Sequence, residues 1–298
     1  MPIPPKTDNP LLLSGIALAM TSAVTVVLTL YVESKERFWL KRCGPVIHER
    51  QSAFSHIRVR EKDHVRSLMF VRPKGGEGLQ TSIDLHAPSE LQLDYTRYMF
   101  ASFLHRQAQD QVLIVGLGGG GMVRFLNTHF PNTQVDAVEI DPVVVDVAAE
   151  FFETHSGPKT RIITEDAFAF FKREGGDLYD VIYMDAFLKP SGDTDTDGAP
   201  QRLRTVAFFK SLKQRLKPGG VVTFNVIEND QTQNDLQAIR EAFGDDVMVY
   251  RAKRTRNLVI ITSAPPEQAM RKRGEALDER LKVKFSFADL VDRWQVDY

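Results

Sequence analysis

The sequence predicts an α/β protein built on a doubly wound, mostly parallel sheet, and three observations support this fold class. Apolar strand-like runs alternate with helix-like runs between residues 111 and 262. The apolar run 112–115 leads directly into a glycine-rich turn, Gly116 to Gly121. The next apolar run ends on the acidic residue Glu139. A strand, a glycine turn, a helix and an acid-ended strand in this order are typical of nucleoside-binding sheets.

Seven strands are predicted for this sheet, and helix-like runs fill most of the intervals between them. The last two strands, 246–250 and 257–262, are joined by a short basic connection. Because parallel strands need a long crossover, these two must pair antiparallel. The seven strands centre on Leu113, Ala137, Ile162, Ile182, Val222, Val247 and Ile260.

A smaller β module is predicted before the sheet. Residues 54–59 alternate between apolar and polar side chains, residues 65–71 form a mixed strand, and the glycines of 74–78 indicate a turn. Residues 90–107 carry apolar side chains at helical spacing, so we expect a helix leading into the sheet domain. The predicted domains are an N-terminal anchor with its flanks (1–43), the β module (44–88), the sheet domain (89–264) and a C-terminal tail (265–298).

The N-terminal region contains a long apolar segment. Residues 11–32 hold no charged side chain, and a helix of this length rises about 1.5 Å per residue, enough to span a ~30 Å hydrocarbon core. A signal peptide cleaved after 17–19 and a buried core helix are the alternatives. The apolar run continues past 17–19, and four basic residues follow it at 35–42 whereas only Lys6 precedes it. We therefore predict a single-pass membrane protein with its bulk in the cytoplasm.

The composition excludes several other functions. A formal net charge of −1 provides no basic field, so we expect no nucleic-acid partner. The single cysteine, Cys43, rules out an intrachain disulfide. Five histidines show no ligand spacing with cysteine or with one another, so no metal site is predicted. These are His56, His64, His86, His105 and His129.

A glycine or an acidic residue follows or ends each of four predicted strands, at Gly118, Glu139, Asp166 and Asp185. Ligands bind beyond the carboxyl ends of parallel strands, so these four residues should converge on one crevice. Glu139 suits the two hydroxyls of a ribose, Asp166 the amino group of adenine, and Asp185 the reacting end. A dinucleotide does not need the last two acids, whereas an adenosine with a sulfonium tail does.

These features resemble the class I S-adenosylmethionine-dependent transferases and, more closely, the spermidine synthase-like family. The β module, the glycine loop and the segments 139–141, 166–168 and 200–209 carry the resemblance, which covers most of 46–263. Members of that family move an aminopropyl group from decarboxylated S-adenosylmethionine to putrescine. The resemblance therefore implies S-adenosylmethionine or its decarboxylated form as cofactor, and a small amine or a protein side chain as acceptor.

The resemblance also implies roles for individual residues. It places Asp185 in the pocket, either as the catalytic residue or as a residue that orients cofactor or substrate. It places Tyr95 near the substrate, although the apolar helical face of Tyr95 also fits a role in the core. Asp193 lies in the acidic loop 193–197, where carboxylates would either gather a cationic substrate or form a solvated, flexible surface. The implied cofactor-binding residues are Gln80, Gly116, Gly118, Gly119, Gly120, Glu139, Asp166 and Ala167.

Three positions depart from the family pattern. Gly119 stands where the family has an acid that meets the cationic aminopropyl tail, Leu188 stands where a second aspartate deprotonates the amine, and Ser55 replaces a glutamine. Intact S-adenosylmethionine carries its own carboxylate, which an acid at position 119 would repel. We therefore expect intact S-adenosylmethionine and methyl transfer.

Two alternatives for the function remain open. One is a polyamine aminopropyltransferase that recruits a carboxylate of 193–197 as a substitute base. The other is a catalytically silent scaffold subunit of a membrane complex. For the assembly, both a homodimer and a heteromeric membrane complex fit the sequence.

Overall fold

The computed structural model describes residues 34–72, 76–253 and 255–295. They form two β-sheets with helices packed around the larger one. The predicted membrane segment, residues 11–32, lies outside the described residues. Among the residues that are described, no helix combines the length and apolar character needed to cross a bilayer.

A helix and a small antiparallel sheet begin the described part of the chain, and the sequence predicts the sheet but not the helix. The helix, α1, covers 34–43 of the described residues. The sheet has the order β1-β2-β3-β4. Its strands alternate, so that Ile57 and Val59 are fully buried and pack against the core of the larger domain. The strands are β1 (Val46–Gln51), β2 (His56–Lys62), β3 (Val65–Val71) and β4 (Glu77–Asp84).

A buried arginine joins α1 to this sheet. The fully buried Arg60 donates from Nε to Glu77 Oε2 at 2.9 Å, and from Nη2 to Glu36 Oε1 of α1 at 2.7 Å. Its Nη1 donates to the carbonyl oxygen of Gly44 at 2.9 Å. Burial opposes ionisation of Glu77, but hydrogen bonds from Arg60 and Arg58 outweigh it and hold the pKa of Glu77 below its usual value. Because removing one partner would leave a buried charge unpaired, these contacts fix α1 on the sheet.

The larger sheet has the order β12-β10-β11-β9-β8-β5-β6-β7. Strands β5 to β9 pair in parallel, and β9, β11, β10 and β12 pair antiparallel, as predicted for the last two strands. All seven predicted strands are present, although the sixth starts at Met248 rather than 246. The strands are β5 (Gln111–Val115), β6 (Gln134–Glu139), β7 (Thr160–Thr164), β8 (Tyr179–Met184), β9 (Leu216–Ile227), β10 (Met248–Arg251), β11 (Asn257–Ile261) and β12 (Trp294–Gln295).

The helices differ from expectation in two places. The helix predicted over 90–107 is divided, because it ends at Phe100, whose ring is buried against Phe125. The predicted tail is part of the core, since Phe287 and Val291 are buried and β12 extends the sheet. The helices are α2 (Asp94–Met99), α3 (Ser102–His105), α4 (Gly121–His129), α5 (Pro142–Phe152), α6 (Ala167–Lys172), α7 (Val206–Gln214), α8 (Thr232–Phe243), α9 (Glu267–Arg280), α10 (Phe287–Val291) and a 3-10 helix (Gln201–Arg204).

Both faces of the larger sheet are covered. Along β5, Val112 and Ile114 point into one hydrophobic layer, and Leu113 and Val115 point into the other. The chain leaves β5 toward β6 and β7, and returns to its other side at β8. This reversal between β5 and β8 is the position where ligands bind in doubly wound sheets.

Candidate active site

A cleft opens beyond the carboxyl ends of four parallel strands. Its empty volume is about 730 Å³, including space open to solvent. Because the strands lie in the order β8, β5, β6, β7, the residues at their ends form a row: Asp185, Gly116, Glu139 and Asp166. The structure thus brings together the strand-end residues that the sequence assigned to one crevice, and Gly118, Gln80, Tyr95 and Ala167 also line it.

The first glycine of the loop lies against the neighbouring strand end. Gly116 has a φ of +98°, and a Cβ atom there would lie 2.2 Å from the carbonyl oxygen of Asp185. A side chain is therefore excluded by both backbone conformation and space. This close approach holds the glycine loop directly beside the Asp185 backbone.

Gly119 is enclosed by the N-terminal sheet and by α5. Its backbone N–H donates to Thr81 Oγ1 at 3.1 Å. A Cβ atom at position 119 would lie 2.8 Å from Thr81 Cγ2 and 2.9 Å from two ring carbons of Phe152. Since Phe152 is fully buried, an acid at position 119 could fit only if this wall moved.

A buried arginine holds the other side of the loop. Arg124 donates to the carbonyl oxygens of Gly119 and Phe152, the latter at 2.6 Å, and to Thr154 Oγ1 at 2.7 Å. Burial lowers the pKa of its guanidinium to about 10, so it remains charged at neutral pH. Arg124 lies one turn into α4 and is not among the site residues predicted from the sequence.

Glu139 is oriented by backbone donors. Its Oε2 accepts from the N–H of Leu117, and its Oε1 accepts from the N–H of Asp141, both at 2.9 Å. Burial raises the pKa of Glu139, although these N–H groups favour the carboxylate. Each carboxylate oxygen has a second lone pair, so Glu139 can also accept from ribose hydroxyls.

Asp166 begins α6 and faces an arginine that the sequence analysis missed. Its Oδ1 accepts from the N–H of Phe168 at 3.0 Å, which caps the helix. Its Oδ2 pairs with Arg202 Nη2 at 2.8 Å. The guanidinium carbon of Arg202 also lies 5.6 Å from the centroid of the Phe168 ring. An adenine amino group at Asp166 would therefore share this carboxylate with Arg202.

Asp185 lies at the opposite end of the row, surrounded by protein but open to the cleft. Its Oδ1 accepts from Asn225 Nδ2 at 2.7 Å, and its Oδ2 accepts from the Tyr95 hydroxyl at 3.0 Å. Burial raises the pKa of Asp185 to about 6, although both hydrogen bonds favour the carboxylate. Burial and the Asp185 charge raise the pKa of Tyr95 far above its usual value, so it remains a neutral donor.

Asn225 was also missed by the sequence analysis. It lies on β9, and its own amide oxygen accepts from Asn257 Nδ2 at 2.8 Å. This contact from β11 determines which end of the Asn225 amide faces Asp185. The Asp185 carboxylate is therefore held by Tyr95 and Asn225 on two sides and can accept a further proton from a substrate in the cleft.

The departures from the family pattern have separate structural roles. Leu188 lines the cleft and donates its backbone N–H to the carbonyl oxygen of Gly198 at 2.8 Å. Ser55 donates to Asp141, the residue that caps α5, so its hydroxyl supports that helix end. Gln80, which matches the family and is assigned to the cofactor by the resemblance, lines the cleft and donates to the carbonyl oxygen of Gly78 at 3.2 Å.

The acidic loop is ordered by positive charges instead of being a solvated, flexible surface. Asp195 pairs with Arg204, and Asp197 accepts from Arg256 Nη2 at 2.7 Å. Burial opposes ionisation of Asp195, but donors including Arg204 hold its pKa below the usual value. Asp193 lines a neighbouring cavity rather than the cleft that contains Asp185. The structure therefore does not bring the predicted substrate residue Asp193 to the reacting end.

One group of possible metal ligands lies outside the cleft. Ligand atoms of His64, Asp84 and His86 lie within 4.8 Å of one another. Spacing along the chain did not reveal this group because the pairing of β3 with β4 sets Val65 opposite Asp84. The two imidazoles are stacked, with centroids 4.6 Å apart.

The chain has the class I S-adenosylmethionine-dependent transferase fold. The chain superposes on the spermidine synthase of Thermotoga maritima with a TM-score of 0.62 and 17% identity, covering 85% of each chain. It superposes on human methyltransferase-like protein 13 in complex with SAH with a TM-score of 0.57 and 23% identity, covering 69% of this chain and 97% of that one.

Sequence comparison identifies the family. The spermine/spermidine synthase domain matches residues 94–254. Over 245 residues the chain is 33% identical to a polyamine aminopropyltransferase of Vibrio vulnificus, covering 80% of this chain and 79% of the relative. The chain therefore belongs to the spermine/spermidine synthase family.

Proposed function

We propose that this protein transfers a group from an S-adenosylmethionine-type nucleoside to a nucleophilic acceptor, with Asp185 as the general base. The row of strand-end residues supports adenine at Asp166, ribose at Glu139, and the sulfonium tail between the glycine loop and Asp185. The observation that carries the proposal is the environment of Asp185. A carboxylate with a pKa of about 6 is mostly ionised at pH 7 and is a stronger base than an ordinary aspartate.

We propose intact S-adenosylmethionine as the donor. Position 119 has no carboxylate, and Thr81 and Phe152 leave no room for one. The carboxylate of the intact donor would meet the hydroxyl of Thr81, which lines the cleft, without repulsion from an acid on the loop. In the reaction the acceptor forms a bond to the methyl carbon as its bond to sulfur breaks. The acceptor proton passes to Asp185, and S-adenosylhomocysteine is released.

Product analysis tests this assignment. The protein is incubated with intact S-adenosylmethionine and mixed amine and protein acceptors, and nucleosides are identified by mass spectrometry. We expect S-adenosylhomocysteine, and Asp185→Asn should remove it. Formation of methylthioadenosine instead, beyond the spontaneous breakdown measured without protein, would show that the 3-amino-3-carboxypropyl group of the sulfonium is transferred.

Binding is tested separately from turnover. Glu139→Gln keeps the side-chain size but replaces one acceptor oxygen with a donor, so nucleoside affinity should fall by roughly tenfold or more. Asp193→Asn is the matched control, because Asp193 lies outside the cleft. Equal affinities of these two variants would contradict the proposed ribose site.

A second candidate, aminopropyl transfer to a polyamine, is favoured by the Vibrio vulnificus relative and by the contact between Tyr95 and Asp185. Incubation with putrescine and decarboxylated S-adenosylmethionine distinguishes it from methyl transfer. Formation of spermidine would establish this function in place of methyl transfer. Nucleoside binding without turnover of any acceptor would instead support the scaffold alternative.

We also propose that residues 11–32 anchor the protein in a membrane, with the described domain in the cytoplasm. The support is the uncharged 22-residue run and the basic residues that follow it. The test is alkaline carbonate washing of membranes from cells that produce the full chain, followed by protease treatment of sealed vesicles of known orientation. Release of the protein by the wash would refute the anchor, and exposure of the domain on the other side would refute the orientation.

A further inference from the structure

Exposed apolar side chains cluster at α1 and at the start of β1. Among the described residues, Phe38, Leu40 and Ile47 belong to the four most exposed large apolar residues. Their exposed fractions are 51, 49 and 45%. Phe38 and Leu40 lie on α1, and Ile47 lies on β1. Three such residues within ten positions of the chain indicate a surface that contacts something other than water.

The same surface is strongly basic. The guanidinium carbon of Arg42 lies 6.0 Å from the centroid of the Phe38 ring and 5.7 Å from that of Trp39. Arg42 thus shares one side of the helix with Phe38 and Trp39. Glu36 is the one acidic residue of 34–43, and it pairs with the buried Arg60. The basic residues of α1 are Lys35, Arg37, Lys41 and Arg42.

We propose that α1 and Ile47 form a docking surface for the headgroup region of an anionic lipid bilayer, an inference that rests on the proposed membrane location. Tryptophan and other amphipathic rings favour the boundary between headgroups and acyl chains, and lysine and arginine bind anionic lipid phosphates. The apolar segment 11–32 ends immediately before this helix in the sequence. Phe38, Trp39 and Leu40 enter the interface, while Lys41 and Arg42 contact phosphates.

Docking of this surface would orient the active site. Arg60 holds Glu36 of α1 on the N-terminal sheet, and the same sheet supplies Thr81 to the glycine loop. The small N-terminal sheet therefore connects α1 to the wall of the cleft, so that binding of α1 to the bilayer would fix the position of the cleft relative to the bilayer. The surface determines how the cleft faces the membrane, independently of which group the enzyme transfers.

Fluorescence quenching tests the proposal in the full chain. The protein has two tryptophans, so Trp294→Phe leaves Trp39 as the one reporter. The variant is reconstituted in phosphatidylcholine vesicles, with or without phosphatidylglycerol, that contain lipid brominated near the glycerol. We expect Trp39 emission to shift to shorter wavelength and lose intensity, more strongly with phosphatidylglycerol. The control Trp39→Phe, which keeps Trp294, should show no quenching.

Charge reversal tests the contribution of the basic residues. Lys41→Glu with Arg42→Glu should abolish the dependence on phosphatidylglycerol. Lys210→Glu with Lys272→Glu reverses two exposed charges on α7 and α9 and should change nothing. Retained nucleoside binding shows that each variant is folded.

Several results would overturn the docking surface. Unquenched Trp39 in protein that resists alkaline washing would refute docking while leaving the anchor intact. Unchanged quenching after reversal of Lys41 and Arg42 would refute lipid phosphates as their partners. Crosslinking between copies through α1 would assign the surface to a second copy of the chain.

Discussion

Two aspartates on neighbouring segments, Asp185 and Asp195, differ in what surrounds them. Asp185 accepts from the neutral groups of Tyr95 and Asn225, and burial raises its pKa to about 6. Asp195 is also partly buried, but donors that include Arg204 hold its pKa below the usual value. A carboxylate paired with a cation is a poor proton acceptor, whereas one among neutral donors is a good one. The surroundings therefore favour Asp185 over Asp195 as the proposed base.

This difference also bears on the aminopropyl alternative. A polyamine synthase that used the acidic loop would need Asp195 or Asp197 to leave an arginine. The side chains of Asp195 and Asp197 are largely buried, at 12 and 6% exposure respectively. Breaking these pairs would therefore leave a buried charge unpaired. These pairs therefore disfavour Asp195 and Asp197 as substitute bases.

The largest expected effect is on turnover by Asp185→Asn. Removing the proton acceptor should lower kcat/KM by about 10²- to 10⁴-fold. Asp195→Asn, which removes a carboxylate that is paired with arginine, should lower it far less. Steady-state kinetics of both variants measure the difference, and equal losses would show that the two aspartates are not distinguished by their surroundings.

The second effect is on stability. The pKa of Asp185 is higher in the folded protein, about 6, than the ordinary 3.8, so the fold binds this proton more tightly. Its contribution to stability is present below pH 4 and is lost as the pH rises through 6, by up to about 3 kcal/mol. Asp185→Asn lacks this loss. The free energy of unfolding of the variant, measured with denaturant, should therefore rise relative to that of the wild type between pH 4 and 7. A difference that stays constant with pH would contradict the raised pKa.

A smaller effect is expected for the stability of Asp195→Asn. The substitution weakens the contact to Arg204, but Arg204 keeps its second partner Asp235. We expect a loss of about 1 kcal/mol in the free energy of unfolding at pH 7. Exposed Asp193→Asn is the control and should change stability very little. A stabilised Asp195→Asn variant would show that this pair does not hold the loop.

The smallest effect is a shift in the pH profile caused by Tyr95→Phe. In the wild type kcat/KM should rise with pH through about 6 and then level off, because the ionised base is the active form. The Tyr95 hydroxyl favours the carboxylate, so its removal should move the inflection to higher pH. Kinetics across pH 5 to 9 would detect it, and an inflection that moves to lower pH would contradict the assigned hydrogen bond.

The fold and the main cleft residues were predictable because their signals are local. A glycine turn and an acid directly after a strand identify Gly116, Glu139 and Asp166 without knowledge of distant contacts. Asn225 and Thr81 were not predictable. Asn225 contacts Asp185 and Thr81 contacts Gly119, and each pair is about 40 positions apart in the chain. The pairing of β8 with β9 decides the Asn225 contact, and the packing of the N-terminal sheet on the glycine loop decides the Thr81 contact.

The same limit explains the other differences. Arg202 belongs to a motif that the sequence analysis noted, yet only the folded 3-10 helix brings its guanidinium to Asp166. The acidic run 193–197 looked solvated because the arginines that neutralise it, Arg204 and Arg256, lie outside the run. Charge patterns along a chain do not reveal partners that folding supplies.

Calorimetric titration of the purified protein with intact and decarboxylated S-adenosylmethionine tests the account most directly. We expect both compounds to bind in the cleft and the intact compound to bind more tightly, since position 119 offers no carboxylate to a cationic tail. Tighter binding of the decarboxylated compound, or no binding of either, would contradict it.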